Sequence, residues 1–578
     1  MASIAGNGII YIPPPLTPRD WGITLVYGTA EGPADLDPMD AWDEYSFAVQ
    51  DQVCEGLFGY NYSDPDMEII PKLAKEFGIW EGANYTVVLR DDVWFHDGTK
   101  FDATAAKWNF DRLYYLMNNG LAKAGELFEY YDVSSKSFQP IINHTEVIDD
   151  LTLKFVCNTP YGPFEALLCF NAAYMLSPTS TSLMKIFDTA IGHLIGTGPF
   201  VYDHYEAGVE IRFHAWDYYY KPRAKIDTLF FSVINDAQLR NNALLTGDVD
   251  ILLTPLSSLI DILDSNPKIE LKKSSQSVSI TYLAMNNYWI NSSFRKAISY
   301  AFNYSFVIEE LLDSQALRLK SPIPQGIFSA NDSYNVSITN ISKARELMQS
   351  MGFGVGWNIT YPGSDDGLWK TASFAVFNYS YSIGNYLQEN IYSVLVNNMQ
   401  LIGIEIINGS SLFFCPFCNY YCLIPPELCL DNMQLFFYGR IPDFNDPSNY
   451  INSLFNNRTV SLNGCRYNGY LAAIQAGRNP FDIWDNVQLL MEEALIEVNK
   501  TTRKQYYNRI QELLVEQDNP MVYSHVSNNI DAWNKDLKGF PSNPMDKVYF
   551  YPCYWDNTAF YAQYDKFLTN RKGDKNWN

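Results

Sequence analysis

The stretch NYTVVLRDDVWFHDGTKFDATAAKWNFDRLYYL (84–116) constrains the fold more than any other part of the chain. Val87 and Leu89 alternate with polar neighbours, the period of a half-buried strand. Asp97-Gly98 is a turn pair, and the short runs around it read as strand, turn, strand. Asp102 stands where a helix needs a cap, its carboxylate able to accept a free backbone N–H of the first turn. Behind it Ala106, Phe110 and Leu113 fall on one helical face. Two periods in so short a span exclude an all-helical or all-strand chain.

The same alternation continues elsewhere. ITLVYGTA (23–30) reads as a β-branched and aromatic strand. YSFAVQDQVCEGLFGYN (45–61) reads as a helix through Phe47, Val49, Val53 and Leu57, closed by Gly59. LTLKFVCN (151–158) is a strand, and 196–234 alternates like consecutive antiparallel strands. AQLRNNALLTGDVDILL (237–253) is a helix stopped by Gly247 before a strand. A new unit opens with the strand SITYLAMNN (279–287), followed by the helix NSSFRKAISYAFNYSFVIEELL (291–312) behind a Ser-rich cap. NYLQENIYSVLVNNMQLIGIEIIN (385–408) is a long helix turning at Gly403 into a strand, MQLFFYG (433–439) is a buried strand, and 480–517 supplies two helices. A chain of 578 residues exceeds one ordinary core, so two to four domains are expected. The class is mixed α/β with several lobes.

The net charge of −24 repels phosphate backbones and argues against nucleic-acid binding. No run of 18 apolar residues offers a membrane span, and the first residues lack a basic region followed by an apolar core. Thirteen N-x-S/T sequons nonetheless point to export and glycosylation: Asn61, Asn84, Asn143, Asn291, Asn303, Asn331, Asn335, Asn340, Asn358, Asn378, Asn408, Asn457 and Asn499. The alternative is that they reflect only an Asn- and Ser-rich composition. Six scattered histidines, no G-x-S-x-G and no glycine-rich phosphate loop leave no visible catalytic constellation. Neither a cofactor nor a metal is expected. Four of nine cysteines crowd into FFCPFCNYYCLIPPELC: Cys415, Cys418, Cys422 and Cys429. In an oxidising compartment such a cluster forms disulfides more often than a zinc site, and it lacks a second C-x2-C or a nearby histidine. Cys157 and Cys169 are a second candidate pair.

Four stretches carry a family resemblance. They are VVLRDDVWFHDGTKFDATAAKWNFDRL; GTGPFVYDHYEAG with YYYKPRAKIDTLFFSVINDAQLRNNALLTGDVDI; TYLAMNN with FRKAISYAFN; and YGRIPDFNDPSNYINSLF. In this order, from about residue 20 to 540, they resemble the family-5 extracellular solute-binding proteins, the peptide and dipeptide receptors of ABC importers. An archaeal member is expected. The resemblance implies a periplasmic-binding-protein-like type II fold, two lobes joined by a hinge plus an extra embedded domain. Lobe 1 would comprise 20–58, 191–275 and 526–578, the embedded domain 59–190, and lobe 2 276–525. Ligand would sit between the lobes and be enclosed by hinge closure. The chain departs from the family in reading Gly439-Arg440 where a Trp usually follows the glycine, and in the cysteine-bearing insertion.

The resemblance places Asp443 where peptide receptors hold the ligand's α-ammonium, a charge-assisted hydrogen bond that fixes orientation. The same Asp443 can instead simply open a turn before Asn445-Asp446-Pro447. Gly439 and Ile441 are candidates to pair with an extended ligand by strand addition. Arg440 can meet a carboxylate, stack on a sugar or peptide plane, or lie in solvent. Glu55 aligns with a cleft-edge glutamate, with a helix-surface charge as the alternative. Tyr282 is a cleft-wall candidate or core, and Trp216, Trp357 and Trp369 are pocket or core. His96 belongs to the turn of the first motif, where its ring is expected to satisfy backbone groups. The function implied is an extracellular receptor, surface-tethered or secreted, monomeric, handing oligopeptides to ABC permease subunits. Any membrane association would run through an anchor absent from this chain. An oligosaccharide receptor of the same fold and a secreted hydrolase are the alternatives.

Overall fold

The computed structural model describes residues 22–132, 135–187, 194–410, 433–458 and 465–556. Its frame is an eleven-stranded sheet. On one half lie, in order, Phe200–Glu206, Glu210–Ala215, Thr228–Val233, Thr24–Thr29 and Ile251–Leu253. On the other lie Leu435–Arg440, Ala375–Ser380 and Ile404–Asn408. Two long antiparallel strands, Met521–Asn534 and Ile269–Met285, stand between them and belong to both halves, and Ala316–Arg318 pairs beside the first of these. The register of the long pair shifts between Lys273 and Gln276 and again before Ile280. Such irregularities bend a strand and interrupt its ladder, which makes this the place where the halves can pivot.

A separate four-stranded sheet, Ile79–Glu81, Asn84–Val88, Thr152–Cys157 and Ile142–Asp149, carries the opening motif. Asn84–Val88 forms as expected, while the second strand of the motif is reduced to one bridge, Trp94 with Lys100. Helix Ala103–Asn118 starts at Asp102, whose side chain accepts from Ala105 N at 2.8 Å. Its Phe110 meets Phe155 edge to face, as Phe164 meets Phe155 and Tyr85, with centroids 4.8–5.2 Å apart. The core under this sheet is continuous with Tyr450, Leu454, Leu490 and Tyr507, which come from the region expected to be lobe 2.

Packing of the backbone, not local pattern, decides several departures. The helix expected over 45–61 ends at Val53, and Phe58–Tyr60 instead pairs with Ile69–Pro71. Here the chain runs too close to its neighbours for a helix to continue. A Cβ on Gly56 would stand 2.7 Å from the Leu168 carbonyl, and one on Gly196 would stand 2.1 Å from that of Val53. The cap of helix Ser292–Ala301 is Asn291 rather than serine. Gly247 and Gly403 do end their elements, at φ of 85° and 72°.

Cys157 and Cys169 are not a disulfide: both are free and buried. Cys169 Sγ points back at the Glu165 carbonyl (3.3 Å) one turn earlier, and Cys157 closes the Thr152–Cys157 strand opposite Ile142. Cys415, Cys418, Cys422 and Cys429 lie outside the described residues. Trp369 is fully buried in the core of the second half, and Trp357, partly buried, packs across it at 5.3 Å. Trp216 is half-buried and packs on His96 at 5.2 Å. His96 donates from Nε2 to the Gly198 carbonyl (2.9 Å), and burial lowers its pKa to about 4. None of the thirteen sequon asparagines is buried, and Asn291, Asn340 and Asn499 serve as helix caps.

Candidate functional site

Strand Leu435–Arg440 delivers its last residues to the seam between the halves. Tyr438, Gly439 and Arg440 pair with Tyr282, Thr281 and Ile280 on one side. On the other side the parallel neighbour reaches only Phe436. Among the described residues, the exposed backbone at Gly439 therefore has a strand on one flank only. Ile441 follows at 63 % exposure.

Asp443 and Arg440 meet each other. Arg440 Nη2 lies 2.6 Å from Asp443 Oδ2, and Asn449 ties the pair together. Its Nδ2 donates to Asp443 Oδ2 (2.9 Å), and its Oδ1 accepts from Arg440 Nη2 (3.0 Å) and Asp443 N (2.9 Å). Arg440 thus holds a carboxylate of its own chain, and its Nε is buried with no partner among the described residues. The sequence signal for Asn449 was only its place two residues beyond Pro447, at the start of helix Pro447–Phe455. That helix is held from behind. Asp446 caps it at Ser448 N (2.8 Å) and also makes two 2.7 Å bonds to the buried Arg503 guanidinium.

The two sides touch at this loop. Asn445 N donates to Tyr60 OH (2.9 Å), and Asn445 Nδ2 reaches the carbonyls of Asp66 and Met67. Nearby, Gly162 N donates to the Leu495 carbonyl at 2.6 Å, and a Cβ on Gly162 would collide with the Glu497 carbonyl at 2.4 Å. These polar bonds run beside the apolar core that both sides share.

Glu55, two residues after helix Glu44–Val53, is 7 % exposed. Its Oε1 accepts from Tyr219 OH (2.8 Å) and Tyr220 OH (2.9 Å), and Oε2 from Thr197 (3.3 Å). Both oxygens are already in use, so Glu55 serves to fix two tyrosines. Those rings continue a chain of contacts through Tyr551 and Tyr549 to Tyr62. Tyr282 is 2 % exposed, and burial drives its phenol well above the usual range.

Two lobes on one sheet, joined by two crossing strands, define a type II periplasmic-type binding protein. Residues 68–461 match the bacterial extracellular solute-binding proteins of family 5 (middle region), and the chain belongs to that family. The family is one of binding proteins rather than enzymes. A glutathione-binding protein, GsiB, from Pectobacterium atrosepticum is 31 % identical over 331 residues, which cover 56 % of this chain and 60 % of that protein. The match thus spans less than two thirds of that relative. HbpA2 from Haemophilus parasuis superposes with a TM-score of 0.72 at 21 % identity, covering 92 % of this chain and 99 % of its own. DppA from Helicobacter pylori, an ABC transporter-associated periplasmic binding protein in complex with the peptide STSA, gives 0.67 at 21 %, covering 93 % and 99 %.

Proposed function

We propose that this chain captures oligopeptides between its lobes outside the cell and hands them to the permease of an ABC importer. The carrying observation is Asp443 beside the one-sided strand end Gly439–Arg440. An extended peptide can add to the backbone there while its ammonium takes the free side of the carboxylate. Arg440 tempers that anchor, because the ammonium must share Asp443 with a resident guanidinium. That relatives are described as binding glutathione and the peptide STSA supports the reading. The lobe and embedded-domain boundaries, the monomeric state, glycosylation at exposed sequons, and tethering or secretion are part of the same proposal.

An oligosaccharide is the second reading, favoured by the run of tyrosines from Tyr220 to Tyr62, whose faces suit sugar rings. Thermal-shift screening against peptide and glycan pools separates the two, since a ligand at about 100 times its Kd stabilises by about 2.7 kcal/mol. Stabilisation by peptides alone is expected. Stabilisation by glycans alone transfers the site to sugars, and stabilisation by neither pool refutes the receptor reading.

A further inference from the structure

Just past the end of the Ile269–Met285 strand, a recess of about 170 Å³ lies beside helix Gly469–Gln475. Met285 pairs with Leu435 and Ile280 with Arg440, so about 17 Å of strand separates this end from the start of the Asp443 loop. Asn287, Tyr288, Leu471 and Ala472 line the recess together with two arginines, Arg295 and Arg466. No carboxylate is among the described residues of its lining. A cavity of about 150 Å³ admits benzene, so a molecule of about six non-hydrogen atoms fits here.

Arg295 is 2 % exposed and is held by backbone alone. Its Nε donates to the Asn519 carbonyl (2.9 Å), Nη1 to that of Ile290 (2.6 Å) and Nη2 to that of Asp518 (2.8 Å). These bonds pin the guanidinium without neutralising it, and they leave one N–H on each Nη with no partner among the described residues. The carboxylate that acts on Arg295 and Lys296 is that of Asp518, and it is spent elsewhere. It accepts from Tyr467 OH (2.6 Å) and from Arg478 Nη2. Arg478 is itself short of acceptors: its side chain is 9 % exposed, and its Nε and Nη1 are buried with no partner among the described residues. Arg295, Lys296 and Arg478 thus share one acid, in a chain whose net charge is −24. Burial lowers Arg295 to about 10 in spite of Asp518. A guanidinium fork left this short of negative charge matches the two oxygens of an oxyanion.

We propose that this recess is a second ligand site, which takes a small organic carboxylate with its oxygens on Arg295 and its short apolar body against Tyr288, Leu471 and Ala472. Those three side chains separate this ligand from an inorganic oxyanion, which has no apolar surface to place against them. The site lies away from the seam and does not rest on the peptide reading.

The test is saturation-transfer NMR and calorimetric titration of the full chain with butyrate, against n-butanol and inorganic phosphate as controls. Butyrate is expected to bind more tightly than either control by about tenfold or more, because only it joins a charge for Arg295 to an apolar body. Arg295 also fastens three carbonyls, so the variants are made at Leu471, which lines the recess and is 52 % exposed. Leu471→Glu sets a like charge beside the ligand and is expected to weaken butyrate by about tenfold or more. Leu471→Gln, neutral and of similar size, is expected to bind butyrate nearly as wild type does. Equal losses in the two variants, or none in Leu471→Glu, overturn the charge assignment. Butanol binding as tightly as butyrate overturns it as well, and phosphate binding as tightly overturns the choice of an organic acid. Absence of saturable butyrate binding overturns the site.

Discussion

Replacing Asp446 by asparagine isolates the charge that holds the Asp443 loop in place. Asn caps a helix about as well as Asp, so the bond to Ser448 N survives. The two 2.7 Å bonds to Arg503 lose their anionic partner, in a pair whose side chains are only 7 % and 6 % exposed. Arg503 is otherwise fastened by Nε to the Ala494 carbonyl, so the guanidinium stays in the interior uncompensated. Removing one member of such a buried pair costs about 3–5 kcal/mol. Equilibrium urea unfolding followed by tryptophan fluorescence reads this as a lower midpoint. The double variant Asp446→Asn/Arg503→Met also removes the stranded charge and is expected to recover about 0.5–3 kcal/mol relative to the sum of the single losses. A single variant within about 0.5 kcal/mol of wild type, or a strictly additive double variant, refutes the reasoning. Because helix Pro447–Phe455 presents Asn449 to both Arg440 and Asp443, ligand affinity is expected to fall with stability.

Asp443→Asn is expected to weaken peptide binding by more than about tenfold, roughly 1.4 kcal/mol, measured by titration calorimetry; unchanged affinity removes Asp443 from the site. His96 is expected to stay neutral in the folded protein down to about pH 4, observable in histidine NMR. Its folded pKa lies below the ordinary 6.5, so its contribution to stability is present above pH 6.5 and is lost as pH falls from 6.5 through 4; titration near 6.5 contradicts the burial argument. Peptide mapping without reductant, after alkylation in denaturant, is expected to recover Cys157 and Cys169 as alkylated free thiols; a linked pair of these peptides contradicts the structure.

What could be read in the sequence follows a physical line. Asp102, Gly247 and Gly403 act within their own turn of chain, so the caps and stops they impose were legible. The helix expected through Gly59 failed because what ends it is the approach of residues 168 and 196–198, far along the chain. Asp443 was visible through its motif, but its bond to Arg440 was not. That bond depends on Asn449 being swung into place by a helix that Asp446 and Arg503 anchor. Glu55 was found as a residue, yet its surroundings give it to three hydroxyls.

The central claim is that a peptide occupies the seam between the lobes. Native mass spectrometry of the protein as purified, with fragmentation of whatever denaturation releases, tests it most directly. The account predicts bound species that fragment into amino-acid residue masses and carry a free amino terminus. Released species that fragment in hexose steps instead would contradict it.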